Sequence, residues 1–250
     1  MIDNTIKDVA REIVSATTKV VALTGAGISA ESGIPTFRDK GGLWEKYDPM
    51  EFAHISSFKA HPEKSWKMLL ELIEPLNKAK PNPGHLGLAE LEKMGILTTI
   101  ITQNIDGLHQ EAGNTDVIEF HGNNRYVVCL SCGKRYKFNE ISIETLPPKC
   151  ECSGILKPDA VFFGEPIPSH ALNRAYEVSG NCKAMLVVGT SAVVYPAASM
   201  PEFAKTKGAI IIEINPEKTP LTLKISDYFV KGSAGEIIPL IVKEVKNLIN

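Results

Sequence analysis

The sequence has no long apolar run. Its longest apolar stretches, such as residues 184–188, are far shorter than the ~20 residues that a membrane-spanning helix needs. The first residues, Met1-Ile2-Asp3-Asn4, do not begin the basic and then apolar pattern of a signal segment. We therefore expect a cytoplasmic protein that makes no membrane contact.

The sequence also lacks an excess of charge of one sign. Its 250 residues include 27 lysines and arginines and 29 aspartates and glutamates, with a formal net charge of −2. A protein that holds a nucleic-acid backbone needs a clustered positive surface. We therefore expect no direct binding of nucleic acid.

Cysteine is scarce, but four of the five cysteines are clustered. Cys129 and Cys132 form one close pair and Cys150 and Cys152 a second, whereas Cys182 stands alone and is expected to be a small buried residue. Two thiolate pairs at such spacing predict a zinc ribbon, and four sulfur ligands close the tetrahedron of a structural Zn²⁺ site. A redox dithiol is the alternative.

Short apolar runs alternate with amphipathic segments along most of the chain. This alternation predicts right-handed crossovers and a mostly parallel sheet with helices on both faces, an α/β doubly wound fold. The predicted strands are residues 20–23, 97–102, 117–120, 184–188, 209–214 and 228–230, and the predicted helices are 6–13, 86–94, 169–178, 197–205 and 234–249.

Two segments interrupt this alternation. Residues 43–80 are rich in aromatic side chains without a clear strand, and residues 125–154 hold the clustered cysteines. We expect them to form a smaller lobe with a helical part and a zinc ribbon, beside a large lobe made of residues 1–42, 81–124 and 155–250. The cleft between two such lobes is a natural ligand site.

The first predicted strand leads into a glycine-rich turn that contains Gly25, Ala26, Gly27 and Ser29. Glycines there let backbone N–H groups approach a pyrophosphate. The acidic residue that usually follows about 20 positions later is hard to place. The turn by itself is weak evidence for a dinucleotide site, because an ordinary turn before a helix has the same composition.

Four segments in a fixed order make the interpretation specific. The chain resembles the sirtuin family of NAD-dependent protein-lysine deacylases, whose Rossmann-like fold agrees with the predicted elements. The segments are GAGISAESGIPTFR at 25–38, TQNIDGLH at 102–109, EFHG at 119–122, and GTS at 189–191 followed by YPA at 195–197. The family more often has two residues between the second pair of cysteines, where this chain has Glu151 alone, so the geometry of that turn stays open.

The resemblance implies an enzyme that consumes NAD and carries a structural Zn²⁺. It would transfer the acetyl group of an acetyl-lysine in a protein or peptide to ADP-ribose, with release of nicotinamide and O-acetyl-ADP-ribose. Members that remove succinyl or malonyl groups carry a tyrosine and an arginine three residues apart on a helix, whereas this chain has apolar residues in the corresponding segment 66–72. We therefore expect neutral acyl groups, acetyl first, because a buried carboxylate would lack a counter-ion.

Three residues are the predicted catalytic group. His121 follows a predicted strand, and a side chain with a pKa near ~6.5 is the natural proton acceptor at neutral pH. Asn104 and Asp106 follow another strand, where an amide and a carboxylate can satisfy a nicotinamide carboxamide and ribose hydroxyls. The resemblance places all three at the nicotinamide ribose; without it, helix capping by Asp106 would be the better interpretation.

The remaining predicted NAD contacts lie at other strand ends and turns. The resemblance implies that Phe37 shields the reactive sugar and that Arg38 orients the dinucleotide. Asn215 and Glu217 are candidates for the adenosine ribose. The other predicted NAD contacts, besides the turn residues and catalytic group named above, are Gln103, Ile105, Gly189, Thr190, Ser191 and Ala234.

Residues 157–165 resemble the substrate loop of the family. An extended backbone there could pair with an incoming peptide, and apolar side chains could line a tunnel for the lysine stem. Packing in a core is the alternative for the apolar residues. The predicted substrate-binding residues are Val161, Phe162, Phe163, Gly164 and Glu165.

Three other functions stay open at this point. A mono-ADP-ribosyltransferase would use the same NAD site but attach the sugar to a protein. A non-catalytic NAD-sensing adaptor would release no nicotinamide. A dehydrogenase would transfer a hydride and produce reduced cofactor.

Overall fold

The computed structural model describes residues 4–37 and 42–249. Its nine strands are numbered in chain order. They are β1 (Val20–Thr24), β2 (Leu97–Thr102), β3 (Val117–Glu119), β4 (Gly122–Cys129), β5 (Arg135–Lys137), β6 (Leu156–Ala160), β7 (Ala184–Val188), β8 (Ile210–Asn215) and β9 (Tyr228–Lys231).

The helices are numbered in the same way, and none within the described residues is long and apolar enough to cross a membrane. Two 3-10 helices, Ala26–Ser32 and Phe138–Glu140, are named by their residues. The α-helices are α1 (Asn4–Ser15), α2 (Leu43–Lys46), α3 (Pro49–Phe52), α4 (Ile55–Ala60), α5 (Pro62–Lys78), α6 (Pro83–Lys93), α7 (Leu108–Ala112), α8 (Ser169–Asn181), α9 (Ser199–Thr206), α10 (Pro220–Lys224) and α11 (Ala234–Ile249).

The larger sheet has six strands in the order β3-β2-β1-β7-β8-β9. All five pairings between neighbouring strands are parallel. The chain starts in the middle with β1, adds β2 and β3 on one side, and returns to add β7, β8 and β9 on the other. The order therefore reverses between β1 and β7, and ligands of such sheets bind outside the carboxyl ends of the strands at this reversal.

Helices cover both faces of this sheet. On one face, α1, α6 and α11 pack over a core that includes Leu88, Ile100 and Ile238. On the other face, α8 and α9 cover a second core that includes Phe120 and Met200. The doubly wound α/β fold predicted from the alternating segments is confirmed.

A three-stranded antiparallel sheet, in the order β5-β4-β6, forms a second layer with α4 and α5. Its core contains Phe58, Trp66 and Phe162. The Trp66 indole donates a hydrogen bond to the backbone oxygen of Leu156, 2.9 Å away, and so ties α5 to β6. This sheet includes Leu156–Ala160, beyond the expected boundary at residue 154, and the division into lobes stays a prediction.

The predicted elements agree closely with the observed ones, apart from the segment after β1. The glycine turn is followed by a seven-residue 3-10 helix, Ala26–Ser32, instead of an α-helix, and Gly33 caps its C-terminus with φ of 85°. The crossover to β2 is made later, by α6, whose N-terminus is capped by Asn82. Sequence periodicity does not distinguish a short 3-10 turn from the start of an α-helix, because both show apolar residues at similar spacing.

Helix α6 offers a matched pair of leucines that tests this layering. Leu88 is fully buried against the sheet, whereas Leu86, on the same helix, is 52% exposed. We expect Leu88→Ala to lower the free energy of unfolding by about 2–5 kcal/mol, because it leaves a cavity in the core. Leu86→Ala should change it by less than about 0.5 kcal/mol in the same urea titration. Equal losses from the two variants would contradict the described packing.

Candidate active site

The turn after β1 lies directly against the turn after β7. The Gly25 N–H donates to the Val188 oxygen at 3.1 Å, and the Gly27 N–H donates to the Gly189 oxygen at 2.8 Å. A Cβ atom on Gly27 would lie 2.8 Å from the Gly189 Cα atom, and Gly189 itself has φ of 59°. Glycine is therefore required at these positions because the two backbones are in contact at the strand reversal and leave no room for a side chain.

Gln103 joins the ends of three neighbouring strands. Its N–H donates to the Thr24 oxygen at 3.0 Å, and its side-chain Nε2 donates to the Thr190 hydroxyl at 3.0 Å. Thr190 is nearly buried, and Ser191, the next residue, is exposed. The predicted residues of the β1, β2 and β7 strand ends thus lie at one place.

Asn104, Asp106 and Ser29 form a connected polar group at the same edge. Asn104 Nδ2 donates to the Gly25 oxygen and to the Ser29 hydroxyl, both at 3.1 Å. The Ser29 hydroxyl donates to Asp106 Oδ2 at 2.7 Å. Asp106 Oδ1 accepts from the Leu108 N–H at 2.9 Å, but the N-cap of α7 is Gly107, so the alternative of a helix N-cap by Asp106 is wrong. Because Nδ2 is used internally, Oδ1 is the Asn104 atom left for a ligand.

Two buried histidines, neither of them a predicted site residue, lie beneath this group. The first is His85. Its Nδ1 accepts from the Asn82 N–H, so Nε2 carries the hydrogen toward the Ser29 oxygen, 3.4 Å away. Its ring packs edge-on against His109, with ring centroids 4.9 Å apart. The signal that could have found His85 is the capping box that it forms with Asn82 at the start of α6.

Burial keeps both imidazoles neutral. Desolvation lowers the pKa of His85 to about 4, although the Asp106 charge opposes this. Desolvation, and secondarily His85, lower the pKa of His109 to about 3. His109 Nε2 lies 2.9 Å from the Thr24 hydroxyl, and its buried Nδ1 has no hydrogen-bond partner among the described residues. A proton on that Nδ1 would be a buried charge without compensation.

His121 lies where the chain passes from the large sheet into the small one. Its Nδ1 is 3.1 Å from the Gln103 oxygen, which can only accept, so Nδ1 carries the hydrogen and Nε2 keeps a free lone pair. Burial lowers the pKa of His121, and the bond to Gln103 partly opposes the shift. The neutral tautomer with a basic Nε2 is the form that can accept a proton at neutral pH.

Phe37, a predicted NAD contact, belongs to a group of aromatic side chains that includes Phe163 of the predicted substrate loop. Phe37 is 39% exposed and stacks on Trp44, with ring centroids 5.2 Å apart. Trp44 in turn lies 6.3 Å from the ring of Phe163. Arg38, the predicted orienting residue, lies outside the described residues.

The predicted substrate loop begins within β6 and continues beyond its end at Ala160. The Val161 N–H donates to the His121 oxygen at 2.9 Å. Phe162 packs edge-on against Phe58 in the small core, with centroids 5.2 Å apart, and Phe163 is 36% exposed. A Cβ atom on Gly164, which has φ of 82°, would lie 2.6 Å from His54. The predicted substrate-binding roles of these residues stay predictions.

The predicted adenosine contacts lie at the ends of β8 and β9. Asn215 Nδ2 donates to the Glu217 oxygen at 3.0 Å, which shapes the turn after β8. Ala234 is buried at the start of α11. There the Glu31 carboxylate accepts a hydrogen bond from the Gly235 N–H at 2.7 Å. This bond joins the GAGISAESGIPTFR segment directly to α11. On the β2 side, the Ile105 oxygen accepts from the Asn124 N–H at 3.0 Å.

The four clustered cysteines converge on one point, and their sulfur atoms all lie within 4.8 Å of one another. Cys129 and Cys152 sulfurs are 3.5 Å apart, and Cys132 and Cys150 sulfurs are 3.7 Å apart. A tetrahedral Zn²⁺ with bonds of about 2.3 Å requires sulfur separations of about 3.8 Å. These residues therefore fit a closed structural site, which would cross-link the loops before and after β5.

The short spacing at Glu151 is accommodated by a tight turn. The Ser153 N–H donates to the Cys150 oxygen, and the Cys150 N–H donates to the Gly154 oxygen, both at 2.8 Å. A Cβ atom on Gly154 would lie 2.6 Å from the Cys129 sulfur. The sulfurs therefore meet despite the single intervening residue.

Comparison with known proteins identifies the family. The model of the Sir2 family matches residues 25–196. The NAD-dependent protein deacylase of Pyrococcus abyssi is 46% identical over 250 residues, which cover 98% of this chain and 99% of the relative. The chain belongs to the Sir2 family. The resemblance that the four ordered segments carried is confirmed.

Two solved Sir2 structures share the whole fold. A Sir2 homologue in complex with NAD has a TM-score of 0.91 at 44% identity, covering 100% of this chain and 96% of the homologue. A Sir2 protein with a deacetylated p53 peptide and 3′-O-acetyl-ADP-ribose has a TM-score of 0.90 at 37% identity, covering 96% and 98% of the two chains. These structures, together with the converging strand ends, confirm the predicted NAD co-substrate. The four converging cysteines confirm the predicted structural zinc site.

The Tyr136 hydroxyl lies 3.1 Å from the Cys150 sulfur, and its removal is a test of the zinc centre. Hydrogen bonds to ligand atoms support metal sites, and their loss typically costs about 10–100-fold in metal affinity. We expect Tyr136→Phe to lower Zn²⁺ affinity within that range, measured by competition with a chromogenic chelator. Tyr126→Phe is the matched control, because that ring on β4 packs against Arg135 instead. Unchanged zinc affinity in Tyr136→Phe would contradict a role for this contact.

The buried histidine pair predicts a loss of stability in acid. Because the folded-state pKa values of about 4 and about 3 lie below the unfolded value of ~6.5, the unfolded chain binds more protons, and stability falls as pH drops through this interval. We expect His109→Gln to reduce the slope of unfolding free energy against pH by up to roughly 1.4 kcal/mol per pH unit.

The measurement is a series of urea titrations between about pH 6 and about pH 4, the interval in which an unperturbed histidine gains its proton. His170→Gln removes an exposed histidine on α8 and serves as the control. An identical slope for His109→Gln and wild type would show that the buried imidazole is already protonated in the folded protein.

Proposed function

We propose that this chain is an NAD-dependent protein-lysine deacetylase, and that His121 is its general base. The observation that carries the proposal is the convergence of Gly25, Gln103 and Asn104 at the strand reversal, with His121 held by the Gln103 backbone oxygen. The P. abyssi relative is an NAD-dependent protein deacylase, and the Sir2 homologues bind NAD or an acetyl-ADP-ribose product. Acetyl-lysine proteins or peptides are the substrates.

Bound NAD would supply a ribose carbon whose bond to nicotinamide breaks as the acetyl oxygen bonds to that carbon. With the addition of one water, the acetyl group would end on a ribose hydroxyl and the lysine amine would be released. His121 Nε2 takes the proton from a ribose hydroxyl, because its Nδ1–H is held by the Gln103 oxygen. Asn104 and Asp106 orient the nicotinamide ribose through oxygen atoms that their internal hydrogen bonds hold in place. Phe37 and Trp44 exclude water from this edge of the sheet.

The other predicted NAD contacts fall into two groups along the carboxyl edge of the larger sheet. The glycine turn, Gln103, Thr190 and Ser191 contact the phosphates and neighbouring ribose, while Asn215, Glu217 and Ala234 contact the adenosine end. This assignment follows the strand order, since β8 and β9 lie farther from His121 than β1 and β2 do. We also propose a cytoplasmic location, where a reducing compartment keeps the four zinc thiolates from forming disulfides.

The test is an acetyl-lysine peptide incubated with the zinc-loaded protein, with and without NAD. We expect deacetylation only with NAD, with nicotinamide and O-acetyl-ADP-ribose as products. His121→Ala should lose about 10²–10⁴-fold in kcat, the usual contribution of a general base. His170→Ala, on the exposed side of α8, is the control.

Mass spectrometry of the peptide separates the alternatives. Added ADP-ribose in place of a lost acetyl group would make the protein a mono-ADP-ribosyltransferase. Bound NAD without nicotinamide release would make it a sensor, and reduced cofactor would make it a dehydrogenase. A succinyl-lysine peptide in the same assay should react more slowly, and faster turnover would contradict the neutral-acyl expectation.

A further inference from the structure

Lys157 is a buried cation at the start of the predicted substrate loop. Its side chain is only 9% exposed. The ammonium group lies 3.0 Å from Glu165 Oε2, at the far end of the same loop, and 2.6 Å from the Ala160 oxygen. It also lies over the ring of Phe162, 4.6 Å from the centroid. One side chain therefore contacts the beginning, the middle and the end of the loop.

Glu165 completes the contact from the other end. The same Oε2 atom that pairs with Lys157 accepts a hydrogen bond from the Phe162 N–H at 2.8 Å. The Glu165 N–H in turn donates to the Phe162 oxygen at 3.0 Å. The ion pair thus ties strand β6 to Glu165 and closes the turn of residues 160–165 between them.

Backbone hydrogen bonds hold this turn against His121 on one side and against residues 53–55 of the helical segment on the other. Val161 is bonded to the backbone oxygen of His121, and both backbone groups of Phe163 are bonded to the helical segment, its N–H to Ala53 and its oxygen to Ile55. Asp159 lies so close to Gly122 that a Cβ there would be 2.0 Å from the Asp159 oxygen. A shift of the turn would move the residues beside His121 without touching the glycine turn that faces the dinucleotide.

Burial distinguishes this pair from the other ion pairs among residues 4–37 and 42–249. The Lys78–Glu74 pair on α5 has both side chains 74% exposed, and such surface pairs contribute little. Removal of one partner from a buried pair leaves an uncompensated charge and disturbs its surroundings. Burial lowers the pKa of Lys157, and the Glu165 charge opposes the shift.

We propose that the Lys157–Glu165 ion pair is a positioning element for the acyl-lysine peptide, which holds the 160–163 backbone beside His121 in the arrangement that binds substrate. The role rests on the proposed deacetylase function. It acts on the peptide and not on NAD, because the loop contacts the His121 backbone and the helical segment rather than the strand-reversal turns.

The test measures the KM for an acetyl-lysine peptide and the KM for NAD separately. Lys157→Met keeps the aliphatic stem and removes the charge, and should raise the peptide KM at least about tenfold while the KM for NAD stays within about twofold. Lys157→Arg keeps the charge and should restore most of the peptide affinity. Lys78→Met makes the same change in the exposed pair and should alter neither constant.

Two further variants separate positioning from a general loss of structure. Lys157→Met combined with Glu165→Gln removes the orphaned carboxylate and should impair the peptide KM less than Lys157→Met alone. Glu165→Gln alone keeps an acceptor for the Phe162 N–H and serves if Lys157→Met does not fold; it should raise the peptide KM in the same direction. Hydrogen exchange should accelerate at residues 160–163 in Lys157→Met while β1 and β7 stay protected.

Two results would overturn the positioning role in an active enzyme. One is an unchanged peptide KM in Lys157→Met, and the other is an equal rise of both KM values with faster exchange throughout the chain. If wild type itself does not deacetylate the peptide with NAD, the proposed function fails and this role fails with it. Activity of the wild type thus distinguishes the two failures.

Discussion

The contact on which the structure depends is the backbone approach between the turn after β1 and the turn after β7. Gly27 and Gly189 leave no room for side chains there, and the hydrogen bond between their backbones joins the two strands at which the sheet reverses its order. The carboxyl ends of parallel strands at such a reversal are where ligands of these sheets bind. Residues from β1, β2 and β7 reach it without any long loop.

The position of His121 follows from a second constraint, the passage of the chain from one sheet to the other. β3 ends at Glu119 and β4 begins at Gly122, so the histidine lies between a parallel and an antiparallel sheet. Gly122 has φ of 76° and passes close to Asp159, which brings β6 and the residue after it, Val161, against the His121 backbone. The proposed base and the proposed peptide loop are neighbours for this reason.

The polar residues of the site are largely occupied by one another. Ser29, Asn104 and Asp106 are hydrogen-bonded together above two histidines that desolvation keeps neutral. A preorganised set of this kind needs little rearrangement when a ligand arrives, and the buried imidazoles add no charge beneath the Asp106 carboxylate. The small sheet has only a limited apolar core. The zinc cysteines and the Lys157–Glu165 ion pair supplement that core with ionic contacts and hold its loops in place, as the hydrogen bonds do in the larger sheet.

The sequence by itself determined the fold class, the six strands of the larger sheet, the five helices that cover its two faces, the family and the four cysteines of the zinc site. These features are encoded locally, in apolar periodicity, glycine turns and short spacings. The tertiary structure alone decided which groups meet: His85 beneath Ser29, Glu31 at the start of α11, Tyr136 at Cys150, and Lys157 with Glu165. Those contacts join residues whose separation in the chain carries no periodic signal, and whether a polar side chain is buried, and by which partner it is satisfied, depends on the packing of elements that the sequence pattern does not position.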